Sequence, residues 1–264
     1  GLLERPTSAA LAASGGAGMV GWSQIGAGAV ARYVLDKLRD RVNAKDFGVV
    51  ADGVTDDTAA LQTAVDFAIG LQQAVVIDLP RDALINGTVN LNTGQTRYPL
   101  YFSGGSLRRT AAVGFMFDAN VLDNNSDLFF VDVQFSSTAG AGAKIFNGDK
   151  IIRLQTRGCS FRGVDTVFAA TTDAALSYAQ SYRSIGDIVA GGGSGFAFDM
   201  VACFDTVFDN LLLEQRESGI RVQRYIYDLK ITNFCLEGLT GTAVQLGDDV
   251  LSGYSHQVLI EGGY

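Results

Sequence analysis

The 264-residue chain is short of the residue types that metal chemistry or covalent cross-linking draw on: one histidine, three cysteines, three prolines and one tryptophan. A single histidine, His256, excludes a histidine-based metal cluster within the chain. Cys159, Cys203 and Cys235 lie far apart without C-x-x-C spacing, so neither a disulfide framework nor a zinc site follows. Buried free thiols are the expected form. There is no nucleophile elbow, Walker loop, H-E-x-x-H or dinucleotide fingerprint, so those reaction classes lose support. The run Gly191 to Gly195 has no lysine after it and reads as a loop, not a phosphate cradle. Neither metal nor cofactor is expected.

Runs of positive charge are also missing. The balance of 20 basic against 28 acidic residues gives a net charge of −8 and a pI of about 4.6. Nucleic acid is therefore not an expected partner. An anionic polysaccharide would be repelled at long range and would need local arginines. No charged residue falls between Arg5 and Arg32, yet this stretch is mostly Gly, Ala and Ser. It lacks the roughly 20 predominantly apolar residues of a membrane span. A basic n-region with a compact apolar core, the mark of a signal peptide, is absent too. The expectation is a soluble chain with no membrane insertion.

What the chain does have is organised around residues 42–69. Phe47, Val49 and Val50 form a short apolar run, Asp52-Gly53 supplies a tight turn, and Leu61, Ala64, Val65, Ala68 and Ile69 recur at helical spacing. Thr55, Asp56 and Asp57 are placed to cap that helix. Upstream, Val30, Val34, Leu38 and Val42 step by four, which predicts a helix over 29–42. Residues 1–28 show no periodicity and are expected to be extended or irregular.

The ordered pattern Asp46-Phe47-Gly48, Asp52-Gly53, Thr55-Asp56-Asp57-Thr58-Ala59-Ala60 and Gln62 resembles the start of pectate-lyase-like right-handed β-helices. More closely, with the 29–42 helix before it, it resembles bacteriophage tailspikes and capsule depolymerases. That resemblance implies that the helix after Asp57 caps a solenoid. It also implies a trimeric protein of the virion tail that binds a bacterial surface polysaccharide. Other tail or baseplate proteins would hold its N-terminus.

Internal repetition supports the architecture independently. FFVDVQF (Phe129 to Phe135), IRLQTRGCSF (Ile152 to Phe161), VFDNLLLE (Val207 to Glu214), LKITNFCLEG (Leu229 to Gly238) and HQVLIEGG (His256 to Gly263) are alike. Leu213-Glu214, Leu236-Glu237 and Ile260-Glu261 recur at intervals of 23 and 24 residues. Such a period is the sequence sign of a solenoid, and the aromatic, β-branched, Gly-cornered strands fit a parallel β-helix. The 32 glycines and 16 phenylalanines fit as well. The expected fold is thus all-β, a right-handed parallel β-helix with an N-terminal capping helix and a short α-helical neck. Residues 1–42 would form the extended segment and neck, 43–84 the capping region, and 85–264 roughly seven or eight turns. Phe135, Phe161, Leu213, Leu236 and Ile260 would share an inward ladder. Because the chain stops directly on a repeat, it is expected to be a fragment of a longer spike.

For chemistry, Glu214, Glu237 and Glu261 would stack, with neighbours roughly 5 Å and alternate members roughly 10 Å apart. Retaining glycosidases place their carboxyls about 5–5.5 Å apart and inverting ones about 6.5–9.5 Å. Asp205, Asp209 and Glu217 on the same repeats extend the set of catalytic candidates. Arg216, Arg221 and Arg224 with Tyr225 and Tyr227 are the candidate substrate-binding residues, and Tyr225 and Tyr227 with Arg221 and Arg224 are the basis of a lyase alternative. Tyr178, Tyr182 and Tyr254 are further candidates for sugar contact. The leading expectation is a polysaccharide-binding and depolymerising tailspike, a hydrolase more than a lyase. The alternatives are a non-catalytic receptor-binding or structural spike part, and a secreted pectate-lyase-like or polygalacturonase-like enzyme.

Overall fold

The computed structural model describes residues 5–91, 98–111, 114–119, 127–139, 142–148, 153–170, 181–247 and 257–263. It divides into two compact units, Gly1–Val42 and Asn43–Tyr264.

In the first unit a one-turn helix, Ser8–Ala12, is capped by Thr7, whose hydroxyl accepts from the Ala10 amide. Strands Gly21–Trp22 and Arg32–Tyr33 then pair antiparallel. The expected 14-residue neck helix is reduced to Val34–Leu38. Its N-terminal part is taken by the strand pairing, and an ion pair from Arg32 to Asp40 (2.8 Å) closes around the short helix that remains. Val30 and Leu38 are exposed, so the step-of-four pattern does not form one buried stripe.

The second unit opens with a single 3-10 turn, Ala44–Phe47, ended by Gly48 in the left-handed region. Asp52 then folds the chain back, its Oδ1 accepting from the amides of Val54 (2.8 Å) and Thr55 (2.7 Å). Helix Thr58–Gly70 follows and buries Leu61, Ala64, Val65 and Ala68. Of the three expected caps only Asp56 acts as one, accepting from the Thr58 amide at 3.0 Å. The Thr55 hydroxyl is turned back to Asp52. Asp57 is buried and points the other way, accepting from the amides of Val50 (2.7 Å) and Ala51 (3.0 Å). Gln62 of this helix covers strand Val89–Asn90, donating to the Asn90 carbonyl and accepting from its amide. The helix thereby occupies a strand edge that would otherwise stand unpaired.

The remainder is a solenoid of parallel strands on three faces. The first face holds Val75–Asp78, Leu100–Ser103, Asp127–Val131, Arg153–Arg157 and Tyr182–Ile185, then the latter parts of Phe196–Asp209 and Ser218–Thr232, and finally Val258–Glu261. The second face is a seven-stranded sheet running from Ala83–Leu84 to Cys235–Glu237. The third runs from Val89–Asn90 to Val244–Leu246. The cycle starts at Val75, ahead of residue 85, and six full turns follow that point, fewer than the period alone allowed. Registers show why: one turn takes 23 residues from Val207 to Lys230 but 29 from Lys230 to Leu259.

Alternation along each strand sends one set of side chains inward, and parallel register stacks like on like. The second face stacks Leu107, Phe135, Phe161, Val189, Leu213 and Leu236. Val89, Phe117, Phe146, Phe168, Phe198 and Ile220 line the third. Rings of successive turns lie nearly parallel, as with Phe102 and Phe130 (4.4 Å) or Phe135 and Phe161 (4.9 Å). Ile260 is not in the ladder expected for it: it pairs with Ile231 on the first face. At the corner after the first face the left-handed conformation recurs at Gly104, Asp132, Gly158, Gly186, Asn210 and Asn233. At each of these corners the amide donates to a carbonyl of the following turn, for example Asn210 to Thr232 at 3.0 Å. Glycine or a short polar side chain tolerates that backbone, which explains the residue types found there.

Cys159 and Cys203 are buried free thiols, both pushed up to about 12 by burial, and Cys235 is half-buried. No described helix is long and apolar enough to cross a membrane.

Candidate functional site

The sequence candidates do not converge on one place. Glu214 and Glu237 do stand in register on adjacent strands of the second face, Glu214 half-buried and Glu237 exposed. Glu261 is not the third member of that stack. It lies on the first face, paired with Thr232, because the turn before it is longer than the two preceding ones. Thr232 pairs in turn with Asp209, so Asp209 and Glu261 are two strand steps apart in one outward row. That spacing is roughly 10 Å between Cα atoms. Asp209 Oδ1 accepts from the Thr232 hydroxyl (2.8 Å) and the Asn233 amide group (3.0 Å), which fixes its carboxylate.

Arg216 sits at the corner after the second face and is buried. Its guanidinium donates to the carbonyls of Ser218 (2.7 Å), Asp165 (2.7 Å) and Gly195 (3.0 Å), and burial lowers its pKa to about 10. It ties together backbone from three turns. Arg109 ties two earlier turns in a similar way, donating to the carbonyls of Gly87 in one and of Ala111 and Phe115 in the next. An open cleft of about 650 Å³ runs past Arg216, lined also by Gly192, Gly193, Ser194, Gln215 and Glu217. Arg221 lies on the third face in a two-bonded pair with Asp199 (2.8 and 2.6 Å) and over the ring of Phe196. The hydrogen bonds it donates to Asp199 raise its pKa. Arg224 and Tyr225 belong to the bend between the third and first faces, where Tyr227 stacks on Phe204 at 4.5 Å. Asp205 and Asp228 make that bend possible by adopting positive φ.

Tyr182 is no surface residue. Its ring stacks on Phe168 inside the solenoid, and its hydroxyl lies 3.1 Å from that of Thr156. The strand alternation that turns Arg183 outward turns Tyr182 inward. Tyr178, Tyr254 and His256 lie outside the described residues.

A further cleft, of about 310 Å³, lies on the outward surface of the first face. Its walls are Asp127, Phe129, Arg153, Gln155, Ser181, Arg183 and Asp205, over the edge of Leu154. Three consecutive strands build most of it, with Asp205 added from a fourth, and their outward rows are in register: Asp127 beside Arg153, and Phe129 beside Gln155 beside Arg183. Arg153 pairs with Asp127 at 3.3 Å and Arg183 with Asp205 at 2.8 Å. Below, Tyr101 stacks flat on Phe129 with ring centres 4.6 Å apart. Of this group only Asp205 is among the sequence candidates. A signal for the others is present, since aligning FFVDVQF with IRLQTRGCSF puts Phe129 and Gln155 in one outward row. Among the described residues no group of three or more His, Cys, Asp or Glu is placed to hold a metal ion.

With the three-faced stack and its outward clefts in view, the chain is a parallel β-solenoid. The sequence profile of the family described as rhamnogalacturonase A/epimerase, pectate lyase-like, matches residues 41–116, the capping region and the first turns. No curated protein matches the chain in sequence. Among solved structures, a mutant tailspike protein of E. coli bacteriophage HK620 in complex with pentasaccharide aligns with a TM-score of 0.61 at 15% identity. That alignment covers 97% of this chain and 56% of the tailspike chain. Another structure of that tailspike with pentasaccharide gives 0.59 at 15% identity, over 97% of this chain and 55% of the other. The chain thus spans little more than half the length of the tailspike structures it matches. At such identity the likeness is one of fold.

Proposed function

We propose that this chain is part of a phage tailspike that binds a bacterial surface polysaccharide, capsule or O-antigen, during host attachment and cleaves it by hydrolysis. The observation that carries the reading is the first-face cleft. It combines an aromatic wall, hydroxyl and amide groups, and charged pairs fixed on rigid parallel strands. Polar groups of that kind beside an aromatic ring suit sugar hydroxyls over a ring's apolar face. The pentasaccharide held by the HK620 tailspike supports the same reading.

For cleavage, Asp209 and Glu261 share the face of the cleft. With Cα atoms roughly 10 Å apart, their side chains can bring the carboxyls to the wider, inverting separation of about 6.5–9.5 Å, in which one carboxyl protonates the glycosidic oxygen and the other activates water. Glu214 and Glu237, one strand step apart on the second face, correspond to the narrower, retaining arrangement. A non-catalytic receptor-binding part is the second reading. It is favoured by Asp127 and Asp205 both being engaged with arginines. Exposed Ile25, Val30 and Leu38 in the N-terminal unit support assembly as a homotrimer and attachment to other tail proteins.

The test is incubation of the full-length parent spike with capsule and O-antigen preparations, following bound glycan, new reducing ends and the ultraviolet absorbance of unsaturated uronate. Reducing ends without the absorbance support hydrolysis, and their loss in Asp209→Asn and Glu261→Gln places it on the first face. Loss in Glu214→Gln and Glu237→Gln instead moves it to the second face. A rise in both signals replaces hydrolysis by elimination. Binding without products leaves the receptor-binding reading, and no binding refutes both. A sedimentation mass of one chain refutes the trimer.

A further inference from the structure

We infer that the first-face cleft is a subsite for an uncharged pyranose unit stacked on Phe129, so that the bound glycan is neutral where it crosses this face. The inference rests on the polysaccharide-binding reading and narrows its substrate class.

Tyr101 and Phe129 occupy one outward row, a turn apart, with rings 4.6 Å apart and only 9° from parallel. Phe129 lines the cleft and Tyr101 does not, so the open volume lies against the ring face turned away from Tyr101. In the next turn the row continues not with a third ring but with Gln155. The aromatic stack therefore ends on a ring face that borders open space. A flat, C–H-rich sugar face extends such a stack, while its hydroxyl or acetamido groups reach the Gln155 amide and the Ser181 hydroxyl. A volume of about 310 Å³ is at the small end for ligand sites, as suits one unit of a chain held at several points.

Charge decides the class. The two arginines in the wall are each matched by an aspartate, Arg153 by Asp127 and Arg183 by Asp205. A uronate or phosphate entering here has to break one of those pairs or add a negative charge beside both carboxylates. It does so on a chain already carrying −8. A neutral unit meets no such opposition.

The experiment uses the full chain and an immobilised panel of bacterial polysaccharides and their oligosaccharides, some neutral and some bearing uronate, at low and tenfold higher salt. Variants Phe129→Ala and Phe129→Tyr are run beside the native protein, with far-ultraviolet circular dichroism to verify the fold. The expected result is binding to neutral glycans that changes less than twofold with salt. Phe129→Ala should weaken it by about tenfold and Phe129→Tyr should restore it. Binding confined to uronate-bearing glycans, or steeply salt-dependent, overturns the inference while the broader reading stands. So does a folded Phe129→Ala protein that binds neutral glycans as the native one does. No binding to any glycan overturns both.

Discussion

Ser184 Oγ donates to Asp187 Oδ2 at 2.7 Å in the interior of the solenoid. Thr156 donates to the same oxygen, and the Cys159 amide donates to Oδ1 at 2.8 Å. These contacts break the first-face ladder, since Phe130 is followed by Thr156 and Ser184 before Phe208 resumes it. Where two rings are missing, a carboxyl from the adjoining corner fills the space. Burial raises Asp187 to about 6, against the hydrogen bonds that favour its charged form.

A raised carboxyl is protonated in the fold over a range where the unfolded chain has released its proton. Its contribution is fully present below the ordinary value near 3.8 and is lost as pH rises through about 6. The difference corresponds to about 3 kcal/mol. Thermal unfolding of the native chain should therefore show a component of stability that declines from about pH 4 to about pH 6. Asp187→Asn should abolish that slope while keeping the fold. An unchanged slope in Asp187→Asn would refute the assignment.

Phe161 lies flat on Phe135, with a ring separation of 4.9 Å, and is fully buried. Phe161→Ala should cost about 3–5 kcal/mol in denaturant titration, because the neighbouring rings of Phe135 and Phe146 are held by their own turns and cannot close the gap. Phe161→Leu should cost less than half of that.

Asp57 holds the amides of Val50 and Ala51, so its loss unmakes the turn that starts the solenoid. Asp57→Ala should destabilise by about 2–4 kcal/mol, measured by chemical unfolding. Asp56→Ala removes the cap on Thr58 together with the bond from the Asn86 amide and should cost about 1–2 kcal/mol.

Arg216→Ala separates binding from support. The three carbonyls that its guanidinium holds lose their donor, and a cost of about 2–4 kcal/mol in unfolding experiments is expected. Glycan affinity measured well below the melting temperature should be unchanged. A tenfold loss of affinity in a folded Arg216→Ala protein would instead make the second cleft part of the binding surface.

Gly105→Ala tests the corner geometry. With φ at 75°, a Cβ on this residue would lie only 2.4 Å from the Leu79 carbonyl oxygen, which leaves no room for a methyl group. The substitution should cost at least about 2 kcal/mol, read as a fall in melting temperature.

The fold was legible because its signals are local or periodic. Asp46-Phe47-Gly48 and the acidic turn after it encode one folded unit, and stacked phenylalanines such as Phe135 and Phe161 recur once per turn. The site was less legible because register accumulates error. Ile260 and Glu261 match Leu236 and Glu237 in type, yet a 29-residue turn carries them to another face. Phase within a strand matters just as much: Tyr182 and Arg183 are neighbours in sequence and lie on opposite sides of the wall. The cleft itself is made by Phe129, Gln155 and Arg183 from three different turns, so no contiguous motif announces it.

The left-handed corners carry a last consequence. Because every corner from Gly104 to Asn233 repeats the same bend and the same amide bond to the following turn, the wall advances by a fixed pitch. The outward rows of the first face are then marks on a ruler, spaced by backbone and not by side-chain adjustment. A polymer laid along that ruler would be selected by commensurability: its repeating unit would either fall in step with the marks or drift out of phase. Discrimination among glycans of like composition would accordingly grow with the number of units bound, as a vernier sharpens with length.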